Sequence, residues 1–186
     1  MPLYFAYGSN MDAAAMQARC PRSRALGTGR LARHRLFIMA PGYASIMRDP
    51  RRDVHGVIWD VALADLRALD AYEDVAGGLY RKAQQPILRA GGGSVRALVY
   101  VGSSQAQGAP QAGYMEQVIA AARAWSLPPA YVRELESLSP ALRRPATGAG
   151  GAPEIWTAPD GTPQSAGAAA PRPKVRARFA TPFDRR

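Results

Sequence analysis

Cysteine is almost absent from this chain, with Cys20 the only one among 186 residues. An internal disulfide is therefore excluded, and so is a thiolate metal cage. Histidine is nearly as scarce. His34 and His55 are the only two, and a zinc site would need ligands the chain barely has. Neither lies in a context that suggests a Ser–His–Asp or Cys–His arrangement. No run of about 20 apolar residues occurs, so no membrane-spanning helix and no membrane partner are expected. The opening Met1–Tyr7 is apolar but short, without a basic leader or a small-residue cleavage site. It predicts a first strand rather than a signal peptide, and a cytoplasmic chain.

Lysine is the third scarcity. Only Lys82 and Lys174 occur, and arginine carries the remaining positive charge of a chain with formal net charge +10. The excess is spread out. Residues 143–186 hold eight basic and three acidic residues, the rest of the chain 16 and 11, and nowhere do five like charges run together. General basicity favours contact with anions but names no partner. Without a helix-turn-helix pattern or interleaved aromatic and basic residues, a nucleic-acid partner is not expected.

What is present divides the chain in two. Residues 1–142 show repeated apolar periodicity and predict one domain; the overall 47% hydrophobic content is enough for a core. From Arg143 to residue 186 the chain is rich in Pro, Gly, Ala and Arg, a composition that predicts a mostly flexible tail. Within the domain, Leu3–Tyr7, Leu31–Ala40 and Val54–Val61 read as strands, with Gly42 and Asp49-Pro50 marking turns. Leu63, Leu66, Leu69 and Tyr72 recur at helical spacing and predict an amphipathic helix over 62–73. Leu79–Ala90 and Ser94–Val101 flank Gly91-Gly92-Gly93, a hairpin signal. Short helices are expected at Met11–Arg19, around Tyr114–Trp125, and at Ala130–Leu138. Six or so strands with intervening helices make an α+β domain.

Three groups of residues could carry chemistry. In Tyr7-Gly8-Ser9-Asn10 a buried strand runs into a glycine and then a helix start. Gly8 can take backbone angles closed to other residues and lets a ligand approach the main chain. The N–H groups of such a turn suit a carboxylate or a developing oxyanion, though a plain turn with Ser9 or Asn10 as N-cap accounts for the same residues. Glu73 closes the 62–73 helix ahead of a glycine-rich loop, where a half-buried acid with a raised pKa could act as a base near neutrality. Spacing alone does not separate it from Asp70, Asp74 or Glu116. Tyr80 and Tyr114 could orient a polar substrate, or could simply be core.

Taken together, these segments resemble a known family. Leu3-Tyr4-Phe5-Ala6-Tyr7-Gly8-Ser9-Asn10 is similar to the opening of γ-glutamylcyclotransferases. Val54-His55-Gly56-Val57-Ile58-Trp59, then Leu69 to Glu73 with Gly78-Leu79-Tyr80, then Tyr114 ahead of Leu127-Pro128 follow in matching order. The likeness covers roughly residues 3–140 and stops where the tail begins. Asn10, and Ala6 before Tyr7, look more like the γ-glutamylcyclotransferase branch than the glutathione-specific one.

The resemblance implies a small mixed barrel-like sheet with flanking helices, and a pocket at the strand end that carries the glycine–serine turn. It implies that Tyr4, Phe5, Ala6, Tyr7, Gly8 and Ser9 form the segment binding the γ-glutamyl group. Glu73 would be the catalytic glutamate, with Tyr80 and Tyr114 as pocket tyrosines. The implied activity converts a γ-glutamyl-amino acid or similar amide to 5-oxoproline and a free amine, with no cofactor and no metal. The expected partner is that small substrate, and the chain is expected to be a monomer or homodimer. Asp74 departs from the pattern, since close relatives often have glycine there. It either changes the charge of the pocket or points to solvent. Three other readings stand beside this one: a γ-glutamylamine cyclotransferase, a non-catalytic binder of a small acid, and a basic anion or nucleic-acid binder.

Overall fold

The computed structural model describes residues 2–139. The expected tail at 143–186 lies outside the described residues. Five strands, β1 (Leu3–Ala6), β2 (Arg24–Ile38), β3 (Ala44–Asp60), β4 (Tyr80–Arg89) and β5 (Ser94–Gly102), alternate with four helices, α1 (Ala13–Arg19), α2 (Leu66–Tyr72), α3 (Tyr114–Ala124) and α4 (Pro129–Ser137). The strands close into a barrel in the order β1-β3-β2-β4-β5. Every neighbouring pair is antiparallel except β1 and β5, which run parallel and meet at Tyr4 and Leu98. The expected small mixed barrel-like sheet with flanking helices is the observed architecture.

The strand number corrects the sequence reading from six or so to five. The reason is the length of β2 and β3, which pair from Arg24 with Asp60 to Ile38 with Ala44. Asp49-Pro50 does not turn the chain; it lies inside β3. The ladder is irregular there. Ala32 pairs with Asp53 and His34 with Arg48, so Asp49–Arg52 bulge out opposite Arg33. Proline, which has no N–H to donate, is tolerated at such a bulge because no ladder bond is lost. Asp53 Oδ1 accepts from the Arg33 N–H at 3.1 Å and closes the irregularity. Gly42 does turn the chain as expected, with φ of 92°.

The helix expected over 62–73 is shorter than its apolar spacing suggests. A 3-10 turn at Leu63–Asp65 precedes α2. Leu63 stands 72% exposed, while Leu69 is fully buried. The 3-10 turn advances the chain by a different angle per residue than an α-helix, so Leu63 falls off the inward stripe. The side chains of Met115, Val118, Ile119 and Ala122 from α3 and of Leu135 from α4 are buried in the core with Phe5, Val57, Ile87 and Val99. Trp125 Nε1 donates to the Met11 carbonyl at 2.7 Å, tying the end of α3 to the segment after β1.

One close approach sets the front of the barrel. A Cβ on Gly56 would collide with the Ala6 carbonyl oxygen. Glycine at 56 is thus what lets β1 lie flush against β3, where Ala6 pairs with Val57. It holds the end of β1, and the turn that follows, in place.

Candidate active site

The site grows from two chain ends that the barrel brings together. β1 ends at Ala6 and passes through Tyr7 and Gly8 into a 3-10 turn at Ser9–Met11. Neither Ser9 nor Asn10 is an N-cap; the cap of α1 is Asp12, whose Oδ1 accepts from the N–H of Ala14 and Ala15. The polar side chains of Ser9 and Asn10 are thereby free for tertiary contacts. At the other end, α2 stops at Tyr72, and Glu73 is its C-cap, with its N–H bonded to the Leu69 carbonyl at 3.0 Å. Glu73 is 8% exposed and Asn10 2%.

The two ends meet at one carboxylate oxygen. Asn10 Nδ2 donates to Glu73 Oε1 at 2.7 Å, and the Tyr4 hydroxyl donates to the same oxygen at 3.4 Å. Asn10 Nδ2 also reaches the Tyr4 hydroxyl at 3.1 Å. Both bonds fall on Oε1. Burial pushes the Glu73 carboxyl up from an ordinary 4.5 to about 7. Arg19 and the bonds from Tyr4 and Asn10 pull it down, and the negative charge of Asp70 adds to the rise. Asp70 is itself held by the Tyr100 hydroxyl at 2.6 Å and by Lys82 Nζ at 2.6 Å.

The tyrosines wall this carboxylate. Tyr4 meets Tyr100 edge-on at 5.5 Å between ring centres. The Tyr7 hydroxyl donates to the Tyr100 carbonyl at 2.6 Å. Tyr80 and Tyr114 hold the backbone of one residue through its two adjoining peptide units: Tyr80 donates to the Ala44 carbonyl at 2.7 Å, and Tyr114 accepts from the Ala44 N–H at 3.2 Å. Desolvation raises the pKa of all of these phenols, and the Glu73 charge adds to it, so they stay protonated and serve as neutral donors. Phe5 and Ala6 are fully buried in β1 and pair with Ile58 and Val57.

The backbone of Gly8 lies at φ −114° and ψ −142°. Space there also favours glycine, because a Cβ would come within 2.9 Å of the Tyr114 hydroxyl. The structure therefore brings Tyr4, Gly8, Ser9, Tyr114 and Glu73 into one neighbourhood. The Asp74 alternatives are resolved too. Its backbone has φ of 47°, in the left-handed region where glycine is at ease and Asp is tolerated. Its Oδ1 accepts from the Gly77 N–H at 3.0 Å. It stabilises the loop and does not join Glu73.

Sequence reasoning missed several neighbours. In the sequence Asn10 stands out only as a family mark and possible cap, Asp70 only as one of several acids near Glu73, and Tyr72 only as part of the helical stripe; nothing there marks Arg19 or Tyr100. The Arg19 guanidinium lies 3.3 Å from the Tyr72 ring centre and donates to Asn10 Oδ1. The Tyr72 hydroxyl in turn lies 2.9 Å from Ser9 Oγ. The only signal in the sequence was an arginine at the end of a short helix, where favourable interaction with the helix dipole accounts for it equally well. An open cleft of about 410 Å³ starts at Met11 and Asp12 and ends at Trp125; it contains neither Glu73 nor Tyr4.

Residues 53–135 match the model of the AIG2-like family, a stretch that includes Glu73, Tyr80 and Tyr114. A solved structure named γ-glutamyl cyclotransferase superposes with a TM-score of 0.70 at 25% identity, over 80% of this chain and 92% of that one. The chain belongs to the γ-glutamylcyclotransferase and AIG2-like family. Among curated members of this family, the γ-glutamylcyclotransferase of Bos taurus is 27% identical over 148 residues, which is 74% of this chain and 79% of that protein. Its counterpart in Homo sapiens is 26% identical over the same shares. Among the described residues, no helix is long and apolar enough to cross a membrane.

Proposed function

We propose that this member of the family is a γ-glutamylcyclotransferase, releasing 5-oxoproline from a γ-glutamyl-amino acid or similar γ-glutamyl amide. The observation that carries the reading is the Glu73 carboxyl, buried and poised near neutrality, bonded to Asn10 and Tyr4 beside the glycine–serine turn. A general base working at neutral pH needs a carboxyl of this kind, since an ordinary one is too weak a base to take an amine proton.

The substrate brings its own nucleophile. Its α-amine is placed to close a five-membered ring on the γ-carbonyl, so the step is unimolecular and proximity is built in. Glu73 takes a proton from the α-ammonium. The freed nitrogen attacks the γ-carbon, the carbonyl π bond opens to an oxyanion, and a second proton passes from the new ring nitrogen to solvent. The C–N bond to the leaving amine then breaks as Glu73 returns its proton to that amine. The products are neutral lactam and free amine, with no net change in protons on the enzyme. Backbone N–H groups near Gly8 and Ser9 are the donors this reading assigns to the oxyanion and the substrate carboxylate.

Incubating the purified protein with γ-glutamylalanine and measuring 5-oxoproline by mass spectrometry tests the reading. Release of 5-oxoproline by the native chain, lost in Glu73→Gln, supports it. A properly folded native protein that releases none from a panel of γ-glutamyl-amino acids and γ-glutamylamines overturns it.

A further inference from the structure

Asn10 holds Glu73, and the geometry shows what holds Asn10. A carboxamide has a donor end and an acceptor end of nearly equal size, and only its surroundings decide which way it faces. Were the Asn10 amide reversed, its oxygen would face Glu73 Oε1 with no proton between them. Arg19 removes that option. A guanidinium is donor-only, and Arg19 Nη1 donates to Asn10 Oδ1. Nδ2 is then left for Tyr4 and Glu73, at 3.1 and 2.7 Å.

The guanidinium is itself fixed. Its central carbon lies 3.3 Å from the centre of the Tyr72 ring, a contact that favours a planar cation. The ring is anchored by the bond between its hydroxyl and Ser9 Oγ at 2.9 Å. Four residues from three elements thus form one bracket behind the carboxylate. Asp70, paired with Lys82, also acts on Glu73, as does the hydroxyl of Tyr4, while the buried phenols of Tyr7, Tyr80, Tyr100 and Tyr114 in turn feel the Glu73 charge. Among the charges that act on it, Arg19 is the one that favours the carboxylate.

We propose that Arg19 is a positioning residue for Glu73: its donor-only head locks the Asn10 amide with Nδ2 on the carboxylate, and its charge is the counter-charge to that carboxylate. The inference rests on Glu73 being the acid–base residue proposed above, but its test does not depend on turnover.

The Glu73 titration is followed directly, by ¹³C NMR of the side-chain carboxyls in ¹³C-glutamate-labelled protein, with Glu73→Gln used to assign the resonance. In Arg19→Met the midpoint is expected to rise by about one pH unit, as loss of a nearby opposite charge requires. Arg19→Lys keeps charge and donors but not the flat head, so it should return the midpoint most of the way while recovering only part of kcat. At pH 7 the Met variant should lose about five- to tenfold in kcat as the base fraction falls, with KM within twofold. Should the Met variant not fold, Arg19→Gln is read in the same way, and its midpoint must rise. A folded neutral variant whose Glu73 midpoint and kcat both match the native protein overturns the role of Arg19. If the native chain releases no 5-oxoproline yet the midpoint moves, the cyclotransferase reading falls and the role of Arg19 stands.

Discussion

Asn10 Nδ2 and Glu73 Oε1 lie 2.7 Å apart although 63 positions separate them in the chain. That single bond joins the turn after β1 to the end of α2.

Activity should have an acid limb near pH 7. The Glu73 carboxyl sits at about 7 because burial disfavours its charged form. Only the carboxylate can accept the ammonium proton, so below that midpoint kcat/KM should fall by about tenfold per pH unit. A pH–rate profile for 5-oxoproline release checks this; a limb near 4.5, the ordinary position of an unburied glutamate, contradicts it.

Removing the charge should trade function for stability. Between about pH 4.5 and 7 the folded chain keeps a proton that the unfolded chain has released. Folding therefore takes up a proton in that window, and stability falls as the pH rises through it and levels off above. The cost of the ionised buried carboxylate is of order 3 kcal/mol at pH 8. Glu73→Gln should lose about 10²–10⁴-fold in kcat yet be more stable than the native chain at pH 8 by roughly 1–3 kcal/mol. Urea unfolding at pH 5 and pH 8 measures it, and the gain should shrink at the lower pH.

Gly8→Ala should act through Tyr114. The added methyl would sit 2.9 Å from the Tyr114 hydroxyl, which is already bound by the Ala44 N–H. Turnover should drop at least about tenfold as the hydroxyl is displaced. Tyr114→Phe removes the obstructing oxygen, so the double variant should lose less than the two single losses combined. A double-mutant cycle on kcat/KM reads this coupling, and strict additivity contradicts it.

Asp74→Gly should leave turnover within about twofold of native. The substitution relieves the left-handed backbone at φ of 47° but gives up the bond to the Gly77 N–H, and the two effects oppose each other at about 1 kcal/mol each. Thermal unfolding together with the 5-oxoproline assay checks both halves. A large change in KM would mean that the Asp74 carboxylate does reach the substrate.

The fold was readable wherever the signal was local. The glycine run at 91–93 marks the β4–β5 hairpin, with Gly92 and Gly93 at positive φ, and the apolar spacing of Tyr114, Val118 and Ala122 marks α3. Asp49-Pro50 misled because proline reports only that an N–H is absent. A turn and a bulge satisfy that equally, and the pairing of β3 with β2 decides between them. Leu63 misled because apolar spacing does not distinguish a 3-10 turn from the first turn of an α-helix.

By itself the sequence determined which residue types were on hand: three carboxylates at the end of an amphipathic helix, a glycine and two small polar residues after a buried strand, and a single cysteine. Strand patterning by itself reached an α+β domain, the barrel was what the family resemblance implied, and the close approach that Gly56 admits is visible only in the fold. Only the tertiary structure decided which acid mattered and what governs it. Asp70, Asp74 and Glu73 are near neighbours in sequence, yet Asp70 is paired with Lys82 and Asp74 binds its own loop. Glu73 alone of the three is buried against Asn10 and Tyr4. Burial, amide orientation and the approach of Arg19 are properties of space, set by distances between residues far apart in the chain, and no pattern along it records them.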